Sequence, residues 1–155
     1  MSAKYEIDSV DMQILDCLQD DARMPYTDIA KKLIVSGGTI HQRVNKMTEA
    51  GIIKGSKLVI DYSKLGYGVT TLLGIFLQSA KDLENVVEKL KGFNEVVEVY
   101  FTTGSYALIV KVKTKSTDDL YLFLRKKMQV IPEIQSTESF ICLNQPVDRE
   151  LSLLD

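Results

Sequence analysis

"VSGGTIHQRVNKMTEAGIIKG", residues 35–55, gathers basic side chains and the sole histidine, His41, in a 155-residue chain whose net charge is −2. Wound at ~100° per residue, this stretch sorts itself into faces. Ile40, Val44 and Met47 recur at i, i+4 and i+7 and form an apolar side. Gly38, Gln42, Asn45 and Glu49 point the opposite way, with Thr39 and Lys46 beside them and His41 and Arg43 on the flanks. Ser36 suits an N-cap and Gly51 a stop. The spacing therefore predicts a helix whose outward face consists of hydrogen-bonding groups and cations.

Outward from this helix, the order of elements becomes clear. Upstream, "ARMPYTDIAKKLIV" starts at Pro25 and places Tyr26, Ile29, Ala30 and Leu33 on one stripe. A first helix is capped by Asp8 and carries Ile14, Leu15 and Leu18. The connection "VSGG" is too short for two helices to lie comfortably antiparallel, so they cross steeply as a helix-turn-helix. Downstream, "IIKGSKLVID" reads as two short strands around Gly55 and Ser56, a wing. Charge is segregated as well. Residues 1–30 hold two basic and seven acidic side chains, a balance of −5, whereas residues 31–60 hold six basic and one acidic, a balance of +5. A concentrated basic surface binds polyanions even when the whole chain is acidic.

After a turn-rich linker, residues 61–68, the periodicity changes. "VTTLLGIFLQ" reads as a strand and "KDLENVVEKLKG" as an amphipathic helix. "EVVEVYFTT" and "YALIVKVKT" read as strands, the latter with Tyr106, Leu108, Val110 and Val112 on one face. Ser116 caps the helix "TDDLYLFLRKKM", and "EIQSTESFICL" is a last strand. The expected class is α+β: a winged helix-turn-helix over residues 1–60 and a ferredoxin-like βαββαβ domain over residues 69–155. A first half of about 60 residues buries little surface by itself, so oligomerisation is expected to add core.

The recognition face matches double-stranded DNA. Gln42 and Asn45 can pair with adenine edges, and Arg43 or Lys46 with guanine. Ser36, Thr39 and the helix N-terminus can hold phosphate, and His41 can add a contact. Lys54 and Lys57 on the wing, with Lys31 and Lys32, supply salt-dependent affinity. The plain alternative is a solvated polar helix face; the short turn, the charge segregation and the wing favour DNA. In the second half, "YFTTGSYALIVKV" brings hydroxyls, two tyrosines and Gly104 together at a turn, which suits a small ligand or simply a tight hairpin. The polar run "QSTESF" fits a free sheet edge or a site between subunits.

One histidine, with no nucleophile elbow, metal-ligand spacing or phosphate loop, points away from an enzyme, a metal site and a cofactor. Cys17 and Cys142 lie far apart and read as reduced thiols. No apolar run approaches the ~20 residues of a membrane span. The N-terminus lacks a signal-peptide pattern, so the cytoplasm is expected.

"DxxDxxIL", present as Asp8, Asp11, Ile14 and Leu15, together with "DARMPYTDIAKKLIVSGGTIHQRVNKMTEAGIIKG" and "YFTTGSYALIVKV", resembles the Lrp/AsnC family of feast/famine transcription regulators. The AsnC branch is the nearer match. The resemblance implies dimers that assemble into octamers. It also implies regulation of amino-acid metabolism and an amino-acid effector held between subunits by Tyr100, Thr102, Gly104 and Tyr106, with Gln135, Ser136, Thr137 and Glu138 from a neighbour's last strand. Glu138 is the implied ammonium partner. Two positions depart from the family pattern. Gly37 stands where many members have proline, which loosens the turn. Ala107 stands where many leucine-responsive members have an acidic residue, which turns the expected effector from leucine toward asparagine. The competing function is an amino-acid-binding module that acts through protein partners.

Overall fold

A computed structural model describes residues 5–154; residues 1–4 and 155, the outer ends of the two expected domains, lie outside the described residues. The chain divides into two compact units, one of Met1–Val59 with Val147–Asp155 and the other of Ile60–Pro146. The C-terminal tail thus groups with the first unit, although its place in the chain suggested the second.

The first unit is built from α1 (Ser9–Asp20), α2 (Tyr26–Leu33) and α3 (Gly37–Glu49). Asp8 closes a capping box: its carboxylate accepts from the Asp11 N–H, and the Asp11 carboxylate accepts from the Asp8 N–H. Two of the orphan donors at the helix start are satisfied in this way. Helix α2 begins directly after Pro25, whose fixed φ suits that place. Ser36 caps α3 by accepting from the Thr39 N–H at 3.1 Å. Ile14, Cys17, Ile29, Ala30, Ile40, Val44 and Met47 form the buried core, drawn from all three helices.

Two local readings change here. The turn between α2 and α3 is made by Ile34 in the left-handed region, with φ 57° and ψ 48°, and not by the glycines. Gly37 and Gly38 lie inside the first turn of α3. The expected wing strands are also missing: residues 52–60 carry no β-pairing. A lone two-stranded hairpin is marginal in water, and Gly55, at φ 145°, adds a conformation that other residues resist. Leu58 and Val59 consequently stand exposed.

The second unit runs β1 (Val69–Leu77), α4 (Leu83–Lys91), β2 (Val96–Phe101), β3 (Leu108–Thr114), α5 (Thr117–Phe123) and β4 (Ile134–Ile141), with a short 3-10 turn, Tyr62–Leu65, ahead of it. The strands form one antiparallel sheet in the order β2-β3-β1-β4. This is the ferredoxin-like arrangement. Burial alternates strictly along β3, and Leu108, Val110 and Val112 pack with Leu73 and Ile75 of β1 and with Val86, Leu90 and Phe123 of the helices. Each such burial is worth roughly 1.5–3 kcal/mol. Helix α5 ends in a π-turn, Leu124–Met128, closed by the Gln129 N–H on the Leu124 carbonyl at 2.9 Å, and this turn carries the buried Met128.

The helices cover one face of the sheet. The register places Leu72, Gly74, Phe76, Ile109, Lys111, Glu138 and Phe140 on the other face. Strand β4 is an edge strand, and its edge position explains the polar run "QSTESF" without a ligand. Among the described residues, no helix is long and apolar enough to cross a membrane.

Candidate functional site

Helix α3 owes its placement to two carboxylates as well as to its apolar side. Arg43 Nη1 donates to Asp8 Oδ2 at 2.7 Å and to Asp11 Oδ1 at 2.9 Å. Asp11 is 0% exposed, and it also accepts from the Tyr5 hydroxyl at 3.0 Å. Both oxygens of this buried carboxylate are hydrogen-bonded, which makes its burial tolerable. The bonds from Asp8 and Asp11 hold the guanidinium above its ordinary pKa, while the Asp11 N–H and then Arg43 hold the Asp8 carboxyl below its own. Arg43 was expected among the DNA-contacting groups. In the structure its guanidinium, partly exposed, pairs with Asp8 and Asp11 and ties α3 to α1.

The rest of the expected face is exposed. Gln42, Asn45 and Lys46 project outward, opposite the buried Ile40, Val44 and Met47. Asn45 Nδ2 donates to His41 Nδ1 at 3.1 Å, and the His41 ring meets Tyr26 edge-on at 5.9 Å. The Ser36 and Thr39 hydroxyls are bonded to each other at 2.8 Å. Lys31 pairs with Asp28 at 3.4 Å. Lys32, Lys46, Lys54 and Lys57 have no acidic partner among the described residues. These side chains, on the outer face of α3 and in the segments before and after it, can bind a polyanion and present amide groups to base edges.

The expected effector residues do not all converge within one chain. Tyr106 lies ahead of β3, and its ring crosses onto the open sheet face, contrary to the alternation expected with Leu108, Val110 and Val112. The ring covers Gly74, where an added Cβ would sit only 2.4 Å from it. Phe76 lies 5.0 Å and Phe140 6.2 Å away by ring centroids. The Tyr106 hydroxyl donates to Glu138, a bond that raises the phenol's pKa. Gly74 has a packing role that sequence reasoning passes over, although a glycine inside a strand is itself a signal of close approach.

Tyr100 sits on β2, at the opposite sheet edge from Glu138, and donates to Glu98 at 2.5 Å. Three strand spacings, or ~14 Å, separate those edges. Thr102 braces the β2–β3 turn: its hydroxyl donates to the Tyr106 carbonyl at 2.5 Å, and its N–H to the Ala107 carbonyl at 3.2 Å. An added Cβ on Gly104 would meet open space. Ser136 pairs with Phe76 on the open face, whereas Thr137 pairs with Ile75 and so belongs to the opposite side of β4; Gln135 is exposed.

Comparison with known proteins decides what these two units are. Residues 7–54 match the family model for winged helix-turn-helix DNA-binding domains, and residues 70–151 match the Lrp/AsnC ligand binding domain. This chain belongs to the Lrp/AsnC family. It is 51% identical over 147 residues to the regulatory protein AsnC of Haemophilus influenzae, covering 95% of this chain and 98% of that one. It is 46% identical over 147 residues to AsnC of Escherichia coli strain K12, covering 95% and 97%. The solved structure of E. coli AsnC matches with a TM-score of 0.92 at 44% identity, over 96% of this chain and 99% of that one. A Neisseria meningitidis transcriptional regulator, solved as its L-Met complex, matches with a TM-score of 0.88 at 15% identity over 93% and 94%, a likeness of fold. The Lrp/AsnC chain described here is therefore a transcriptional regulator with a DNA-binding and a ligand-binding domain, and not an enzyme.

Proposed function

We propose that this Lrp/AsnC chain reads specific DNA sites through the outer face of α3, and that a small amino acid modulates its assembly or its DNA binding. Asparagine is the first candidate effector, and genes of amino-acid metabolism in the cytoplasm are the targets. One observation carries the DNA half: Gln42, Asn45 and Lys46 stand in solvent on a helix whose other side is locked in the core, with Lys32, Lys54 and Lys57 unneutralised around it. Ser36, Thr39 and His41 complete the phosphate- and base-facing set, and Arg43 serves as its anchor.

The effector half rests on the β2–β3 turn and on β4. Since Tyr100 and Glu138 lie on opposite sheet edges, a site that uses Tyr100, Thr102, Gly104 and Tyr106 with Gln135, Ser136, Thr137 and Glu138 draws β4 from another copy. Leu72, Phe76, Ile109 and Phe140 on the helix-free face offer apolar surface for a homodimer, and dimers would assemble further into an octamer. An effector ammonium would compete with the Tyr106 hydroxyl for Glu138. An effector that favours one assembly shifts the population toward it and changes the spacing of paired recognition helices.

A gel shift at two salt concentrations, with and without a panel of amino acids, tests this reading. Specific complexes should persist as salt rises, and the effector response should weaken in Glu138→Ala while DNA binding stays. Gln42→Ala should relax sequence preference, whereas Lys57→Ala should lower affinity on every sequence. If both bind as the parent does, α3 is not the reading element. No complex at either salt would leave a module that acts through protein partners.

A further inference from the structure

A second cavity, of about 660 Å³, opens within the ligand-binding unit, walled by the Tyr62–Leu65 turn, the outer ends of β2 and β3, and α5. Its size lies within the roughly 300–1,000 Å³ of small-molecule sites. It lies apart from the β2–β3 turn and β4, where the amino acid is placed above. Tyr62 and Tyr67 line it, their rings meeting edge-on at 6.5 Å. Lys113, Lys115, Lys126 and Lys127 line it too, against two carboxylates, Glu95 and Asp119.

Those carboxylates are already engaged. Glu95 accepts from Lys127 at 2.7 and 2.9 Å, and Asp119 accepts from the Ser116 hydroxyl at 3.1 Å. Lys115 and Lys126 have no acidic partner among the described residues. Lacking one, the Lys115 ammonium lies 5.6 Å from the Tyr67 ring centre. The Lys113 ammonium lies 5.5 Å from the Tyr62 ring centre and donates to the Thr70 hydroxyl at 3.1 Å. Three lysines without an acidic partner among the described residues, Lys113, Lys115 and Lys126, thus line a cavity with an aromatic wall in a chain whose net charge is −2. A cation on a ring face exchanges that contact favourably for a charge-assisted bond to an anion.

We propose that this cavity binds an organic anion that joins a flat ring to a phosphate, about the size of a nucleoside monophosphate. The ring lies against Tyr62 and Tyr67, and the phosphate bonds Lys115 and Lys126. A zwitterionic amino acid matches less well, because four lysines face two carboxylates in the lining and only Asp119 is left without a cation partner among the described residues. A DNA backbone would use the lysines and leave the tyrosine wall unfilled.

Calorimetric titration of the full-length protein with adenosine 5′-monophosphate, adenosine and inorganic phosphate tests the assignment. The monophosphate should bind saturably and more tightly than either fragment. Lys115→Ala/Lys126→Ala should weaken it about tenfold or more, Tyr67→Leu should weaken it without touching the lysines, and Lys81→Ala should leave it unchanged. The proposal is overturned by a lack of saturation at millimolar monophosphate, by equal affinity in the double variant, or by inorganic phosphate binding as tightly. It is equally overturned if the double variant lowers only DNA affinity, since the lysines would then belong to the DNA path.

Discussion

Replacing Gly74 with alanine isolates the contact on which the β1, β4 and Tyr106 cluster depends. The new methyl would lie 2.4 Å from Tyr106 Cδ1, 2.5 Å from Cε1 and 2.7 Å from Cγ. Carbon atoms settle near ~3.5–4.0 Å, so the ring must retreat by about 1 Å. The atoms struck belong to the root and side of a rigid ring, which cannot yield as the tip of a lysine would. Retreat loosens the packing on Phe76 and Phe140, worth ~0.5–1.5 kcal/mol for each aromatic pair, and pulls the hydroxyl from Glu138. Overpacking of this kind costs about 1–3 kcal/mol. Alanine in a strand regains ~0.5–1 kcal/mol over glycine, leaving a net loss of about 1–2 kcal/mol. In a Tyr106→Ala background the clash vanishes, and the same substitution should stabilise by ~0.5–1 kcal/mol. The sign reverses, and urea unfolding at one fixed protein concentration reads it as a coupling energy. An equal effect of Gly74→Ala in the two backgrounds would refute the reasoning.

Ile34, 92% exposed and left-handed, holds a conformation that costs a β-branched residue ~1–2 kcal/mol; Ile34→Gly should raise the melting temperature of the DNA-binding unit, and an unchanged or lower value would show that the turn is not strained. The buried Thr71 hydroxyl has no hydrogen-bond partner among the described residues, so Thr71→Val should add about 1 kcal/mol to stability, read from the denaturation midpoint. Asp11→Asn removes the buried charge facing Arg43 and should cost roughly 3 kcal/mol, with weaker binding to all DNA sequences as α3 loses its anchor; full stability in denaturant would contradict that role. Asp8, Glu95 and Glu133 have lowered carboxyl pKa values. For Asp8 the cause is the Asp11 N–H and then Arg43, and for Glu133 it is Lys89; for Glu95, burial pushes upward and Lys127 outweighs it. Lowered folded values mean that their stabilisation is whole above the unfolded values near ~4 and is lost as pH falls through the folded ones. Melting temperature should therefore be level between about pH 6 and 8 with respect to these groups and fall below about pH 4, and a fall confined to alkaline pH would show that they do not govern it.

The parts legible in the sequence were those set by period and by local chemistry. Ile40, Val44 and Met47 are buried, Asp8 and Ser36 cap their helices, and the alternation along residues 108–114 makes β3. What escaped the reading depends on partners distant in the chain. Nothing beside Arg43 announces Asp11, which lies 32 residues earlier. Tyr106 continues the alternation of β3 on paper, but the ladder begins at Leu108 and frees its ring to cross the sheet. Nothing in the sequence marks Ile34 as the left-handed turn residue, because a β-branched side chain resists that conformation. The wing forms no hairpin, and of its apolar residues Ile53 packs on the helical core while Leu58 and Val59 stay exposed.

The excess of positive charge after residue 30 acquires a physical meaning once the ion pairs are assigned. The acidic residues of the first helices are not idle counterweights. Asp8 and Asp11 take Arg43, and Asp28 takes Lys31. Arg43 thereby acts as a pin between α3 and α1. The cations left over are Lys32, Lys46, Lys54 and Lys57. If each neutralises one phosphate, four such contacts set a salt dependence of about −3.6 in log affinity per protomer, from ~−0.9 per phosphate. That term carries no sequence information and must be complemented by the neutral amides of Gln42 and Asn45, which do. In the proposed mode of binding, positioning, attraction and reading would therefore fall to different side chains of one short helix and its surroundings. An acidic chain keeps cations for a polyanion in this way because three of its acids, Asp8, Asp11 and Asp28, occupy only Arg43 and Lys31, which leaves the other four lysines to solvent.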